Sequence, residues 1–179
     1  KRQASHDGGL SWTEPLRIAE GVCTSPHVLS DAMGGVHLFW HQRTGGTASW
    51  WHQWSPAATE DGDGAGEGRK TPAGWERAER VPGFSDVEGS VAVVSDGALG
   101  LHGLGLGLDG YGEPALLHQT WTTSVEAPQE GAAPVQTKGE WSRVEATRLD
   151  PTQKPVGGVS AVLQPVVGEL DVLYAGMAE

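Results

Sequence analysis

Two stretches of the sequence repeat one another: SDAMGGVHLFWH at residues 30–41 and SDGALGLHGLGL at residues 95–106. Each begins with Ser-Asp, continues through four residues and an aliphatic side chain, and then reaches a histidine. The interval is 65 residues for the aspartates and for the histidines: Asp31 and Asp96, His37 and His102. Markers of different kinds that share one interval indicate an internal structural repeat.

Three segments with a tryptophan at their second position follow nearly the same period. They are SWTEPLRIA, GWERAERV and EWSRVEATR, and the intervals from Trp12 to Trp75 and from Trp75 to Trp141 are 63 and 66 residues. The histidines in WWHQW and LLHQTW, His52 and His118, are also 66 residues apart. A weaker further copy, GVSAVLQPVVGELDVLYAG, covers residues 158–176.

Each repeat is built from short apolar segments of strand length, rich in Val, Leu and aromatic residues and separated by Gly, Asp and Pro. Four such segments in about 65 residues predict a four-stranded antiparallel sheet per repeat, which is the blade of a β-propeller. We therefore predict a single all-β domain over residues 1–179. It would hold blades at about 26–81 and 90–148 and half-blades at 1–20 and 158–176, three blades' worth of strands in all.

The stretch SHDGGLSW lies between the two predicted strands of the first half-blade. It resembles the Asp-box, or BNR repeat, of sialidase-like propellers, whose pattern Ser-x-Asp-x-Gly-x-x-Trp is filled here by Ser5, Asp7, Gly9 and Trp12. An Asp side chain can accept backbone hydrogen bonds in a tight turn, glycine tolerates positive φ, and tryptophan can bury where the hairpin meets the core. The resemblance implies a structural turn at Asp7 and a six-bladed ring, of which this chain would be half.

Closed propellers have four to eight blades, so three cannot close alone. The predicted strand edges at Lys1–Ser5 and Leu170–Gly176 therefore predict a partner, since unpaired edges invite association. That partner is another half-propeller, and three sources stay open: a second copy, a different chain, or the rest of a longer precursor.

Several observations count against catalysis by this chain. The sialidase resemblance implies an arginine cluster that holds a carboxylate, yet the predicted inner strands PHVLSD, SVAVVS and SAVLQP contain no arginine, and Arg17 lies in PLRIAEG instead of Arg-Ile-Pro. Tyr111 and Glu113 could form a nucleophile pair, but DGYGEP is more typical of an exposed hairpin turn. We predict no catalytic residue.

Metal and cofactor sites are not predicted either. Matched histidines on neighbouring blades would stand about 10 Å apart, too far to share one Zn²⁺, so their repetition favours a structural role. The acidic stretch EDGDGAGEG at residues 60–68 departs from a calcium loop after its first two acidic positions. The single cysteine, Cys23, excludes an internal disulfide.

The remaining candidates are the aromatic residues Trp50, Trp51 and Trp54, which could face a glycan or protein ligand or could pack between blades. The formal net charge of −11 makes nucleic acid an improbable partner, and no apolar run is long enough to span a membrane. We therefore expect a non-catalytic recognition or structural propeller module that binds a protein or glycan within a larger assembly. The alternative is a fragment of a secreted, exo-sialidase-like glycoside hydrolase. The resemblance implies an extracellular or cell-envelope location.

Overall fold

The computed structural model describes residues 1–5, 7–56, 74–85, 91–126, 135–150, 153–164 and 169–178. These residues form antiparallel strands and turns, with no helix among them that could cross a membrane. The strands are β1 (Val22–Ser30), β2 (Val36–Thr44), β3 (Thr47–Ser55), β4 (Glu79–Ser85), β5 (Ala92–Ser95), β6 (Gly100–Leu108), β7 (Pro114–Thr122), β8 (Val125–Glu126), β9 (Val135–Gln136), β10 (Glu140–Trp141), β11 (Glu145–Arg148), β12 (Gln153–Gln164) and β13 (Glu169–Ala178).

Sheet 1 is a four-stranded meander in the order β1-β2-β3-β4. A five-residue turn that starts at Asp31 joins β1 to β2, and the turn Gly45–Gly46, with positive φ at both glycines, joins β2 to β3. The fourth strand begins at Glu79, four residues after Trp75. The backbone N–H of Glu76 still donates to the carbonyl of Trp54, so the tryptophan-led segment does lie along β3 before the regular strand begins.

Sheet 2 repeats this arrangement in the order β5-β6-β7, with the outermost position divided between β10 and β11. Trp141 pairs with Trp121 of β7, and Glu145 pairs with His118, which precedes Trp121 by three residues. The outer strand is thus broken after Trp141, as it is after Trp75 in sheet 1. The two sheets confirm the predicted four-stranded antiparallel repeat, with a break in each outer strand that the sequence pattern did not reveal.

Sheet 3 consists of β12 and β13, which pair over nearly their whole lengths. Separately, β8 and β9 form a small antiparallel ribbon in the segment that follows β7. Of the strands that the structure describes, β13 pairs with β12 alone. The acidic stretch at residues 60–68 lies outside the described residues.

The sheets stack face to face through two apolar layers. The layer between sheets 1 and 2 is the larger and is dominated by aromatic side chains, while the layer between sheets 2 and 3 is aliphatic. Alternate residues of a strand point to opposite faces, so β6 sends Leu101 toward sheet 1 and Leu104 toward sheet 3. Glycines 103 and 105 leave room on the first of these faces for the Phe84 ring, because a Cβ at either glycine would meet it at 3.0–3.3 Å.

Residues 1–5 and 7–18 form a loose hairpin against the opposite face of sheet 1. Two predicted strands are reduced here to one bridge, Arg2 with Leu16, and one further backbone bond, from Thr13 to Ala4. The Arg2 guanidinium lies 4.8 Å from the centre of the Trp75 ring. The order of layers is therefore hairpin, sheet 1, sheet 2, sheet 3, and the described strands do not close a ring.

Candidate functional site: two histidine pairs between stacked sheets

Both repeats place two histidines side by side on adjacent strands. In sheet 1, Nδ1 of His37 lies 3.0 Å from Nε2 of His52, and in sheet 2, Nδ1 of His102 lies 2.9 Å from Nε2 of His118. The two rings of each pair are nearly parallel, with centroids 5.3 and 5.2 Å apart. The strand register explains this contact, because His37 is opposite Trp54 and His52 is opposite Phe39, which makes the histidines diagonal neighbours on one face.

The sheet 1 pair continues into a buried chain of hydrogen bonds. Nε2 of His37 lies 3.3 Å from Oδ2 of Asp31, and the same oxygen accepts a 2.6 Å bond from the Gln136 amide of β9. If His37 donates to Asp31 from Nε2, its Nδ1 must accept from Nε2–H of His52. Nδ1 of His52 is then an acceptor, and it has no hydrogen-bond partner among the described residues.

Burial keeps the sheet 1 histidines neutral. It lowers the pKa of His37, although the adjacent Asp31 acts in the opposite direction. Burial lowers the pKa of His52 well below its ordinary value, and the nearby His37 and Lys138 add to the effect. Both side chains are fully enclosed, so the chain Asp31–His37–His52 has the composition of a proton relay but no access to a substrate. Its arrangement fits a structural role.

The rings of the neighbouring sheet form the cover of this pair. Trp121 of β7 meets His37 and His52 edge-on, with centroids 4.8 and 5.3 Å away, and Trp141 of β10 meets His52 in the same way at 5.5 Å. Phe39 stacks on His52 from within sheet 1 at 4.5 Å. The histidines therefore belong to the aromatic layer that joins sheets 1 and 2.

The sheet 2 pair is only partly covered. The His118 side chain is 27% exposed, and its Nδ1 lies 3.9 Å from the exposed carboxylate of Glu145. Burial is still the main cause that lowers the pKa of His118, with His102 as a second cause. The same pair of residues in the same register thus meets a closed layer in one sheet and a partly open one in the other.

Aspartates stabilise the turns that precede or carry these sites. Oδ1 of Asp31 accepts the backbone N–H groups of Met33 and Gly35, and Oδ1 of Asp96 accepts those of Ala98 and Gly100. Each carboxylate lies directly against the glycine four residues later, where a Cβ would collide with it. The repeated Asp and Gly of the opening motif are therefore explained by one type of turn.

The residues that resemble an Asp-box form a related turn on the surface. Asp7 accepts the Ser11 backbone N–H at 2.9 Å and the Ser11 hydroxyl at 2.6 Å, and the Ser5 hydroxyl donates to it at 2.8 Å. These bonds, that of the Ser11 hydroxyl first, lower the pKa of Asp7 to about 2. Gly9 adopts a φ of +93° and donates its N–H to the Ser5 hydroxyl.

Trp12 differs from the expectation for this motif. Its side chain was predicted to bury where the hairpin meets the core, but it is 61% exposed. The hairpin lies on sheet 1 through other residues, since Lys1 and Ile18 line a groove with Trp40. Trp12 therefore lies on the surface of the hairpin instead of in the layer between the hairpin and sheet 1.

The three candidate ligand-facing tryptophans separate clearly. Trp50 and Trp54 are buried in the layer between sheets 1 and 2, which corrects the expectation that they could face a ligand. They share a face with His52 because alternate positions of β3 point the same way. Trp51 points to the opposite face, is partly exposed, stacks on Trp40, and lies 5.6 Å from the Arg80 guanidinium.

The other candidate residues considered in the sequence are Tyr111, Glu113 and Cys23, which lie in a turn or on the surface. Tyr111 lies on the turn between β6 and β7 and is 88% exposed, which agrees with the hairpin-turn interpretation. Asp109 holds that turn through the N–H groups of Tyr111 and Glu113 and binds Arg148 at 2.8 Å. Cys23 is an exposed free thiol, and within the described ranges no group of three or more His, Cys, Asp or Glu side chains forms a metal site.

A polar cleft lies where the outer strands of sheets 1 and 2 meet. Its larger part, about 520 Å³, is lined mainly by hydroxyl side chains of β7 and the segments that follow it. Lys138 stands in the cleft and forms a 2.9 Å ion pair with Glu79, which raises the pKa of the lysine. The cleft is wide, and Glu79 already neutralises its lysine.

Two residues that sequence reasoning missed hold the outer strands in place. The Gln53 amide donates to the carbonyl of Glu76 at 2.9 Å, and the Gln119 amide donates to the carbonyl of Ser142 at 2.7 Å. The signal was present, since His-Gln occurs at 52–53 and again at 118–119. In each repeat, the histidine faces the next sheet and the glutamine fixes the segment just after the tryptophan.

No protein-family model, curated protein or solved structure matches this chain.

Proposed function

We propose that this chain is a non-catalytic recognition or structural module of the β-propeller type, which works in a larger assembly by binding a protein partner that continues its stack of sheets. The single observation that carries the proposal is the exposure of apolar side chains on the outer face of sheet 3 and on the face of sheet 1 beside the hairpin. Val28 of β1 is 69% exposed at one end of the stack, and Leu173 of β13 is 76% exposed at the other.

The inner layers indicate what such faces require. In the layer between sheets 1 and 2, the apolar side chains of each sheet are buried against apolar side chains of the other. Solvent-exposed apolar residues on a sheet face, next to a strand with an unpaired edge, are typical of association surfaces. A partner that supplies antiparallel strands with an apolar face would match both ends.

The polar residues support a non-catalytic role. Asp31 and Asp96 serve turns, His37 and His52 are enclosed, and Asp109 holds a hairpin tip. A glycosidase of the usual type needs two carboxyl groups that flank a substrate bond. The acidic residues with turn roles have their carboxylate oxygens engaged by backbone N–H groups instead. An extracellular or cell-envelope location stays a prediction from the Asp-box resemblance.

Two measurements on the full chain test this proposal. Fluorogenic glycosides, a sialoside among them, are expected to be hydrolysed no faster than with heat-denatured protein, and sedimentation equilibrium is expected to show association that increases with concentration. Leu173→Glu should weaken the association, whereas Leu108→Glu, at another exposed leucine, should not. Turnover that requires the folded chain would overturn the proposal, as would an association that Leu173→Glu leaves unchanged.

A further inference from the structure

The covered histidine pair shows what the open pair lacks. His52, on the third strand of sheet 1, is covered by Trp141, which belongs to the fourth-strand segment of sheet 2. His118 holds the same place on the third strand of sheet 2 and faces sheet 3. In the part of the chain that the structure describes, sheet 3 has strands equivalent to the first and second only.

What sheet 3 does provide lies over the inner strands of sheet 2. Val159 of β12 is buried against Ala92 and Leu104, and Leu170 and Val172 of β13 pack beside them. A third and a fourth strand added to the free edge of β13 would extend this cover outward to His118, as β7 and β10 extend it to His52. The 27% exposure of His118 marks the area that such strands would bury.

Trp12 has the properties of the missing cover. It is the first of the three tryptophans that lead a fourth-strand segment, and the other two both contact the preceding layer: Trp75 contacts Arg2, and Trp141 contacts His52. Trp12 itself is 61% exposed, with Leu10 exposed beside it. Among the described residues, Trp12 is thus a tryptophan that covers no histidine pair, and His102–His118 is a histidine pair that lacks a complete cover.

Resting on the proposed function, we propose that the partner is a second copy of this chain. The hairpin of residues 1–17 of one copy adds to the edge of β13 of the other, so that its Trp12 packs over His118. Charge favours this contact, since residues 1–17 carry three basic and two acidic side chains while β13 presents Glu169 and Asp171. The contact is reciprocal, and two copies related by a twofold axis close a ring of six sheets.

A double-mutant cycle on the dimer dissociation constant tests the proposed contact. Trp12→Ala is expected to weaken dimerisation by at least about tenfold, as for a tryptophan at the centre of an interface. His118→Ala should weaken it less, and the double variant should differ from the product of the two single effects by at least about twofold. Tyr111→Ala, which removes an aromatic ring that is 88% exposed, is the control and should leave the constant unchanged.

Each result decides the matter. Near-ultraviolet circular dichroism of the variants establishes that they fold, which is expected because Trp12 lies on the surface. If the native chain dimerises and Trp12→Ala does so equally well, or if the two substitutions act independently, the inference is wrong while the proposed function stands. If the native chain stays monomeric, the inference of a second copy is wrong while the proposed function stands with a different protein partner, and hydrolysis of a glycoside would contradict the proposed function alone.

Discussion

The His37–His52 pair and the His102–His118 pair have the same register, the same ring geometry and nearly the same nitrogen–nitrogen distance. One is sealed by two tryptophans of the adjacent sheet, and the other is partly open to solvent. The difference does not come from the pair itself, because its own strands are equivalent in both sheets. Among the described residues, the sheet that follows the sealed pair has a third and a fourth strand and the sheet that follows the open pair has two strands, so the cover of each pair depends on the next sheet.

The largest expected effect is the removal of the cover over the sealed pair. Trp121→Ala would leave a cavity beside His37 and His52 in the aromatic layer, and we expect it to reduce the free energy of unfolding by about 3–5 kcal/mol. Urea denaturation followed by circular dichroism measures this change. Tyr111→Ala, on the exposed turn, should stay within about 0.5 kcal/mol of the native chain. Equal effects of the two substitutions would mean that Trp121 does not seal the layer.

The second prediction compares the two turn aspartates. In both, Oδ1 accepts backbone N–H groups, but Oδ2 of Asp31 also accepts from Gln136 and contacts His37. Asn keeps the first oxygen and replaces the second by an amide donor, which would oppose the Gln136 amide. Asp31→Asn should therefore reduce stability by about 1.5–3 kcal/mol and Asp96→Asn by less than about 1 kcal/mol, as measured by urea denaturation. A larger loss for Asp96→Asn would contradict the buried network.

The third prediction concerns pH. Burial lowers the pKa of His37 and His52 in the folded chain, so below about pH 6.5 the unfolded chain binds protons that the folded chain does not. Their contribution to stability is complete above that pH and is lost as the pH falls, by up to about 1.4 kcal/mol per pH unit for each histidine. Unfolding free energies measured between pH 7.5 and 5.5 should show this decrease.

Replacement of single histidines separates the two pairs. His52→Phe should remove more of the pH dependence than His118→Phe, because burial lowers the pKa of His52 further below its ordinary value. The quantity to compare is the slope against pH, not the absolute stability of the variants. A steeper slope attributable to His118 would reverse the assignment of the sealed and the open pair.

The sequence carried much of the fold because its markers are local. The Asp–Gly turn spans five consecutive residues, and side chains along a strand alternate between faces with a period of two residues. Both patterns are visible in the sequence, so the 65-residue repeat and the four-stranded sheets could be predicted from spacing. The break of the outer strands could not, because it depends on Gln53 and Gln119, which reach across to a neighbouring strand.

The candidate site was harder to predict, since it depends on register and on stacking. The matched histidines of different repeats lie on different sheets, but their spacing in the sequence did not reveal that His37 and His52 become diagonal neighbours within one sheet. Trp50 and Trp51 are adjacent in sequence, and only the position of sheet 2 decides which of them is buried. The eight residues of SHDGGLSW likewise do not determine whether Trp12 is buried, because that depends on how the hairpin packs against its neighbouring sheet.

Hydrogen exchange along β2 and β13 as a function of protein concentration tests the central claim most directly. β2 lies between two strands of sheet 1, whereas β13 has an unpaired edge among the described strands. We predict that amides of β2 are protected at every concentration, while the edge amides of β13 exchange quickly when dilute and become protected as the protein is concentrated. Protection of β13 that equals that of β2 in dilute solution would contradict the account of a stack that is open at its third sheet.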